Sequence, residues 1–225
     1  MPAFFAKREH GRAVIEGGDA RHLARALRAR VGEEIDVVDP AGFLLTVRLD
    51  SVTPERVEGL IVAERPHDPE PAARITLAVA NLPAPALDLL LSRCTEAGAF
   101  AFVVFPADRS VGRGEKLERW STICREAAML AGRLRVPEVS AASSADAVIG
   151  AEENPILLTR DSRQRLAELT APRDLTLFVG PEGGWSEAEL ALAGERRLSL
   201  GPRNLRAENA AAAALSVALG ARGDL

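Results

Sequence analysis

With 225 residues, 47% of them apolar and 27% charged, the chain has the make-up of an ordinary globular protein of one large or two modest domains. It shows no apolar run long enough to cross a bilayer and no basic-then-apolar leader, so cytoplasmic residence without a membrane is the expectation. Two distant cysteines (Cys94, Cys124) and three histidines without ligand spacing argue against a metal site or a disulfide framework. A net charge of −4 argues against a binder that works by overall basic surplus, although it leaves room for a local basic patch.

Residues 1–70 predict a β-rich module with one helix. Ala13–Ile15, Ile35–Val38, Phe43–Leu49 and Val57–Ala63 are strand-like, and Pro40-Ala41-Gly42 supplies a turn. Asp19 is placed to cap a helix with an apolar stripe of Leu23, Ala26 and Leu27. The same helix carries Arg21, Arg25, Arg28 and Arg30, which form either a solvated face or a set of phosphate contacts. The proline-rich stretch Arg65–Pro71 reads as a semi-rigid linker. The expected division is therefore 1–70 and 71–225.

Beyond Arg74 the period changes. Strands are expected at Ile75–Ala80, Phe102–Phe105, Ile156–Thr159, Leu175–Val179 and Arg197–Leu200. Helices are expected at Leu87–Ala97, Lys116–Gly132, Arg163–Leu169, Glu187–Glu195 and Arg206–Leu219. This alternation predicts an α/β domain with a mainly parallel sheet and helices on both faces.

One stretch of that domain invites a chemical reading. Gly180-Pro181-Glu182-Gly183-Gly184-Trp185-Ser186 joins a strand to a helix, and Ser186 with Glu189 forms a capping box. Such turns sit at the carboxyl ends of strands, where α/β sheets bind ligands. The stretch is neither a P-loop nor a dinucleotide fingerprint. Leu200-Gly201-Pro202-Arg203-Asn204-Leu205-Arg206-Ala207-Glu208-Asn209 makes a second Gly-Pro turn before a helix, able to line the same crevice.

These two segments together resemble the SPOUT methyltransferases, in particular the ribosomal RNA small subunit methyltransferase E group. Further matches are His22-Leu23…Leu27-Arg28…Gly32-Glu33, Thr95-Glu96-Ala97-Gly98, Arg109-Ser110-Val111, Arg119-Trp120 and Glu126-Ala127…Gly132-Arg133. Departures stand at Asn204 and Asn209, where the group has Ile and Thr, and at Met129-Leu130, where it has Glu-Gln. The usual arginine near the N-terminus is missing, with Ala3 before Phe4-Phe5.

The resemblance implies a PUA-like β-barrel followed by a SPOUT domain with a trefoil knot. It implies methyl transfer from S-adenosyl-L-methionine to N3 of a uridine in 16S ribosomal RNA of the small subunit, by a homodimer and without a metal. The cofactor is expected at Thr159, Gly180, Pro181, Glu182, Gly183, Gly184, Leu200, Gly201, Leu205 and Asn209. Loss of the N3 proton calls for a base or an anion stabiliser, and the candidates are Glu182, Arg203, Arg206 and Glu208. RNA contacts are expected from Arg21, Arg25, Arg28, Arg109 and Arg133. Two other readings remain open: a SPOUT ribose 2′-O-methyltransferase, and a non-catalytic RNA-binding ribosome-assembly protein.

Overall fold

Alternating burial builds the first sheet. In β5 (Phe43–Val52) the side chains of Leu45, Val47 and Leu49 turn inward while their neighbours are wholly or partly in solvent. Around it lie β1 (Phe4–Phe5), β2 (Lys7–Glu9), β3 (Arg12–Glu16), β4 (Glu34–Asp39) and β6 (Arg56–Pro66), in the order β1-β4-β5-β6-β3-β2. All pairs are antiparallel except β1 with β4. Phe4, Ile15, Leu23, Ile35, Val37 and Val57 complete the apolar interior. On β6, a Cβ at Gly59 would lie 2.3 Å from the Arg48 carbonyl oxygen, so the close approach of β5 at its register shift admits only glycine.

The computed structural model describes residues 3–152, 155–169 and 174–225. The chain divides into two units, and the first contains the residues up to Glu70 together with Ala128–Arg135. In that added segment Met129 packs into the first apolar core, and its carbonyl accepts a bond from Ala3 N at 3.0 Å. Of the two departures at Met129-Leu130, the first is thus a core residue. The other, Leu130, is 65% exposed.

The helix of the first unit differs from expectation. α1 (Gly17–Arg21) starts two residues before Asp19, which lies in its first turn and does not cap it. The chain then passes into a π-helical turn, His22–Ala26. The wider turn rotates successive side chains out of the 3.6-residue phase. Leu23 is fully buried, but Ala26 and Leu27 face solvent, contrary to the expected stripe. Arg21, Arg25, Arg28 and Arg30 are all exposed, and Arg28 ends the turn at φ 54°.

The second unit alternates strand and helix: β7 (Ile75–Ala80), α2 (Ala84–Glu96), β8 (Ala101–Phe105), α3 (Leu117–Leu130), β9 (Glu138–Ala141), α4 (Ala145–Ala151), β10 (Ile156–Leu158), a 3₁₀ turn (Leu166–Glu168), β11 (Leu175–Val179), α5 (Glu187–Ala193), β12 (Arg197–Leu198) and α6 (Ala207–Gly220). The strands stand in the order β12-β10-β11-β7-β8-β9, and every pair is parallel. Ile75, Leu77 and Val79 bury one face of the sheet in a core shared with α2, α3 and α6. Ala78, Ala80, Leu157 and Phe178 bury the other with residues of α4 and α5. Helices therefore cover both faces, as the alternation predicts. Within α6, Ala211 and Ala214 are fully buried, and the helix packs on α2, β7, β11 and the 3₁₀ turn. The strand β9 and the helix α4, capped by Ser144 Oγ on Ala147 N, lie where no element was expected.

Candidate active site

Because all six strands of the second unit are parallel, their carboxyl ends share one edge of the sheet. Three loops leave that edge from the neighbouring strands β12, β10 and β11: Ser199–Arg206, Thr159–Arg165 and Gly180–Ser186.

The Gly180–Ser186 loop is held from inside by Trp185. Its indole N–H donates to the Leu158 carbonyl at 3.0 Å, which ties the loop after β11 to the end of β10. The ring stacks on Phe105, with centroids 6.3 Å apart and planes 12° apart. A Cβ at Gly180 would meet Trp185 Cε2 at 2.8 Å, so this glycine makes room for the indole and not for a ligand. A Cβ at Gly183 would lie 3.0 Å from Arg109 Cβ, and Arg109 donates to the Gly183 carbonyl at 3.1 Å. Gly183 itself is exposed, and Arg109, a candidate RNA contact that is also exposed, is committed in part to this loop. Gly184 has φ 71° and its N–H closes a turn on the Pro181 carbonyl at 2.8 Å. Pro181 is buried and Glu182 exposed.

The expected capping box is present and does more than cap. Ser186 Oγ accepts from Glu189 N at 3.2 Å, and Glu189 Oε2 accepts from Ser186 N at 2.8 Å. Glu189 Oε1 also accepts from Asp108 N at 3.0 Å, so one buried carboxylate joins the loops after β8 and β11. The sequence marks Glu189 as a capping residue but carries no sign of this second bond.

The Ser199–Arg206 loop has the opposite character. From Leu200 to Leu205 no backbone N–H or C=O has a partner among the described residues. Leu200, Gly201 and Leu205 are half-buried, and Gly201 has φ 102° with nothing within 4 Å of where a Cβ would stand. This is a cradle of unspent donors and acceptors with apolar side chains beside it, the donor set that a flat heteroaromatic ring and its ribose would use. Thr159 stands half-buried at its rim, its N–H on the Leu198 carbonyl at 2.9 Å.

The charged candidates separate by burial. Arg203 and Arg206 are exposed, and the Arg206 carbonyl accepts the first bonds of α6. Glu208, in the first turn of α6, is 7% exposed and has no hydrogen-bond or ion-pair partner among the described residues. Asn209 is exposed, and its Oδ1 accepts from Arg93 at 3.1 Å, which places its side chain on α2 and not in the cradle. Asn204 is exposed, so the polar group at this departure displaces no packing.

Arg133 is a correction. It is 2% exposed, and its guanidinium grips Glu70 at 3.2 and 2.6 Å. Arg135 joins the same carboxylate at 3.1 Å and Leu134 N donates to it at 2.9 Å. Burial alone would raise the Glu70 pKa, but the Arg133 and Arg135 contacts outweigh it and hold the carboxyl below its ordinary range. Arg133 is thus an interior anchor of the first unit and out of reach of a phosphate. No group of metal-ligating residues occurs among the described residues, and none of their helices is long and apolar enough to cross a membrane.

Comparison with known proteins identifies the family. The profile of a family described as an RNA methyltransferase domain matches residues 68–219, and that of an RNA methyltransferase PUA domain matches residues 15–62. The chain is 31% identical to the ribosomal RNA small subunit methyltransferase E of Mycobacterium tuberculosis, over 95% of this chain and 86% of that one. It is 29% identical to the Bacillus subtilis protein of the same name, over 90% and 87%. Among solved structures, the Neisseria gonorrhoeae protein of that name, bound to S-adenosyl methionine, superposes with a TM-score of 0.83 at 30% identity, covering 96% of this chain and 95% of that one. A Legionella pneumophila putative methyltransferase, with a TM-score of 0.86, 24% identity and coverage of 97% and 96%, shares the fold. With both profiles and the near full-length relatives in agreement, the chain belongs to the ribosomal RNA small subunit methyltransferase E family of the SPOUT superfamily.

Proposed function

We propose that the chain is an S-adenosyl-L-methionine-dependent methyltransferase that modifies N3 of a uridine in the RNA of the small ribosomal subunit. The observation that carries the reading is the Leu200–Leu205 cradle in the loop after β12, with backbone groups unpaired among the described residues and an exit into a helix whose first turn holds buried Glu208. The S-adenosyl methionine in the Neisseria gonorrhoeae relative supports it.

Leu200, Gly201, Leu205 and Thr159 would hold the cofactor, with the Gly180–Gly184 loop as the facing wall. When bound, the cofactor supplies an electrophilic methyl group. The chain has to exclude water, align the acceptor and remove a proton. Orientation of this kind can account for much of an enzyme's acceleration. In neutral uridine N3 carries a proton, and Glu208 would take it; its burial, its lack of a side-chain partner among the described residues and its position in the first turn of α6 support that role. Arg203 and Arg206, exposed at the loop's end, would neutralise the uracil oxygen as charge develops. The exposed arginines 21, 25 and 28 would position the RNA through phosphates. N3 is occupied in a base pair, so the target uridine enters unpaired or extruded. Homodimerisation and threading of α6 as a trefoil complete the proposal. The strand order β12-β10-β11 is compatible with that threading.

The test is transfer of labelled methyl groups to small subunits lacking the modification, with nucleoside mass spectrometry of the product. Recovery of 3-methyluridine is expected. A ribose-methylated nucleoside would move the acceptor to the 2′-hydroxyl, and cofactor binding without any transfer would refute the substrate.

A further inference from the structure

A second opening lies at the carboxyl edge of the same sheet, outside the three loops assigned to the cofactor. It is a cavity of about 210 Å³ where β7 ends and α2 begins. At about 30 Å³ per water this is room for about seven waters, enough for one ring with substituents. Leu82, Leu87 and Trp120 give it an apolar side, and Arg113 and Lys116 stand at it as cations. No carboxylate lines it.

Its walls are fixed. Asn81 N donates to the Phe105 carbonyl at 2.7 Å, and the Asn81 carbonyl accepts from Gly112 N at 3.2 Å. A Cβ at Gly112 would fall 2.1 Å from the Leu82 carbonyl oxygen, so the 112–114 segment lies directly on the β7–α2 turn. The Asn81 side chain is 9% exposed and donates through Nδ2 to the Gly114 carbonyl at 3.1 Å. Its Oδ1 has no partner among the described residues. That oxygen is not sealed from solvent, so it is an acceptor open to whatever enters the cavity. The start of α2 adds a further polar element. Pro83 is its N-cap without a side-chain cap bond, and no acidic residue occupies the first turn. That end of the helix is therefore electropositive and uncompensated, beside two cations.

We infer that this cavity takes one unstacked nucleotide of the RNA, the neighbour of the reacting uridine and not the uridine itself. This rests on the methyltransferase reading above. The base occupies the apolar side next to Trp120 and offers an N–H to Asn81 Oδ1, while its phosphate meets Arg113, Lys116 and the start of α2. Strands lie about 5 Å apart, which puts the end of β7 one spacing from the β11 loop and about three from β12. The single spacing to the β11 loop is within one step of an unstacked nucleic-acid strand, and the larger distance to β12 separates this base from the cradle. An aromatic wall with cations at the phosphate is the arrangement by which single strands are held.

Two measurements test it. Ala84→Leu fills the cavity without a change of charge, in a residue type that α2 accommodates. With small subunits as substrate, KM for RNA is expected to rise about tenfold, the low-to-middle range for loss of one stacked base. The kcat at saturating RNA and the calorimetric affinity for S-adenosylmethionine should stay unchanged. An unchanged KM, or a loss confined to kcat, overturns the assignment. Independently, the chain has only two tryptophans. In 5-fluorotryptophan-labelled protein, uridine 5′-monophosphate should shift the Trp120 resonance and leave that of Trp185 in place, and Arg113→Ala with Lys116→Ala should weaken the shift. No movement of Trp120, or the same movement with inorganic phosphate alone, would refute a base site. If the unmodified protein binds cofactor but transfers no methyl group to the subunit, the functional reading fails. Normal transfer with a silent cavity sinks this inference alone.

Discussion

Trp185 is the residue through which the architecture of the candidate site can be tested most directly. Trp185→Phe keeps an aromatic ring against Phe105 but removes the N–H that reaches the Leu158 carbonyl. Leaving that buried acceptor without its partner costs about 1–3 kcal/mol. The smaller ring also leaves a void over Gly180, which adds about 1 kcal/mol. At about 2–4 °C per kcal/mol for a chain of this size, melting of the second unit should fall by roughly 5–15 °C. Gly180→Ala is costly for the reciprocal reason, because its new methyl stands 2.8 Å from indole Cε2. The two changes must therefore couple: once the indole is gone, the alanine has space. In a double-mutant cycle followed by thermal and denaturant unfolding, the pair should cost less than the sum of the singles by about 1 kcal/mol or more. Costs that add within about 0.3–0.5 kcal/mol would show that indole and glycine are not in contact, and the account of the loop would fall with them.

The remaining predictions concern charge, space and reactivity. Glu208→Gln should lower kcat by about 10²–10⁴-fold with little change in calorimetric affinity for S-adenosylmethionine; a variant of normal rate would remove Glu208 as the base. Gly201→Val forces a β-branched residue to φ 102° and puts bulk into the cradle, so cofactor affinity should fall well beyond the roughly 1–2 kcal/mol of backbone strain read in its unfolding curve. Glu70 titrates below its ordinary value, near 4.5, in the folded chain, so its contribution is full above that value and is lost as pH falls through the lower folded value. Glu70→Gln should flatten that part of the acid unfolding curve, and Arg133→Ala should destabilise the first unit by about 3–5 kcal/mol at neutral pH. Burial, with the neighbouring Cys124, pushes the Cys94 thiol up to about 12, so iodoacetamide should label it only after unfolding.

Strands such as Ile75–Ala80 and Leu175–Val179 were legible residue by residue because they are unbroken apolar runs between turn signals, the mark of strands buried on both faces. β9 was not, since a four-residue, half-exposed edge strand carries no such run. The capping box could be seen because both partners lie within one helical turn. The bond from Trp185 to Leu158 spans 27 residues, and that from Arg133 to Glu70 spans 63. Local pattern contains nothing of either. Arg133 therefore reads in the sequence as an RNA contact, and Gly180 as a place where a ligand comes close. The apolar stripe of the first helix is absent for another reason: it requires a 3.6-residue phase, and the chain turns there with a wider period.

The membership of Ala128–Arg135 in the first unit bears on how the protein is made. A ribosome delivers the first 70 residues long before it delivers Met129 and Arg133. Until then the N-terminal sheet has an incomplete core, and Glu70 lacks its guanidinium partners. More than 50 residues of the second unit are emerging in the interval. The order of synthesis is therefore not the order of completion. The module that begins first finishes only when the other is more than one third made, and a nascent chain released at the proline-rich linker would be a fragment without its keystone.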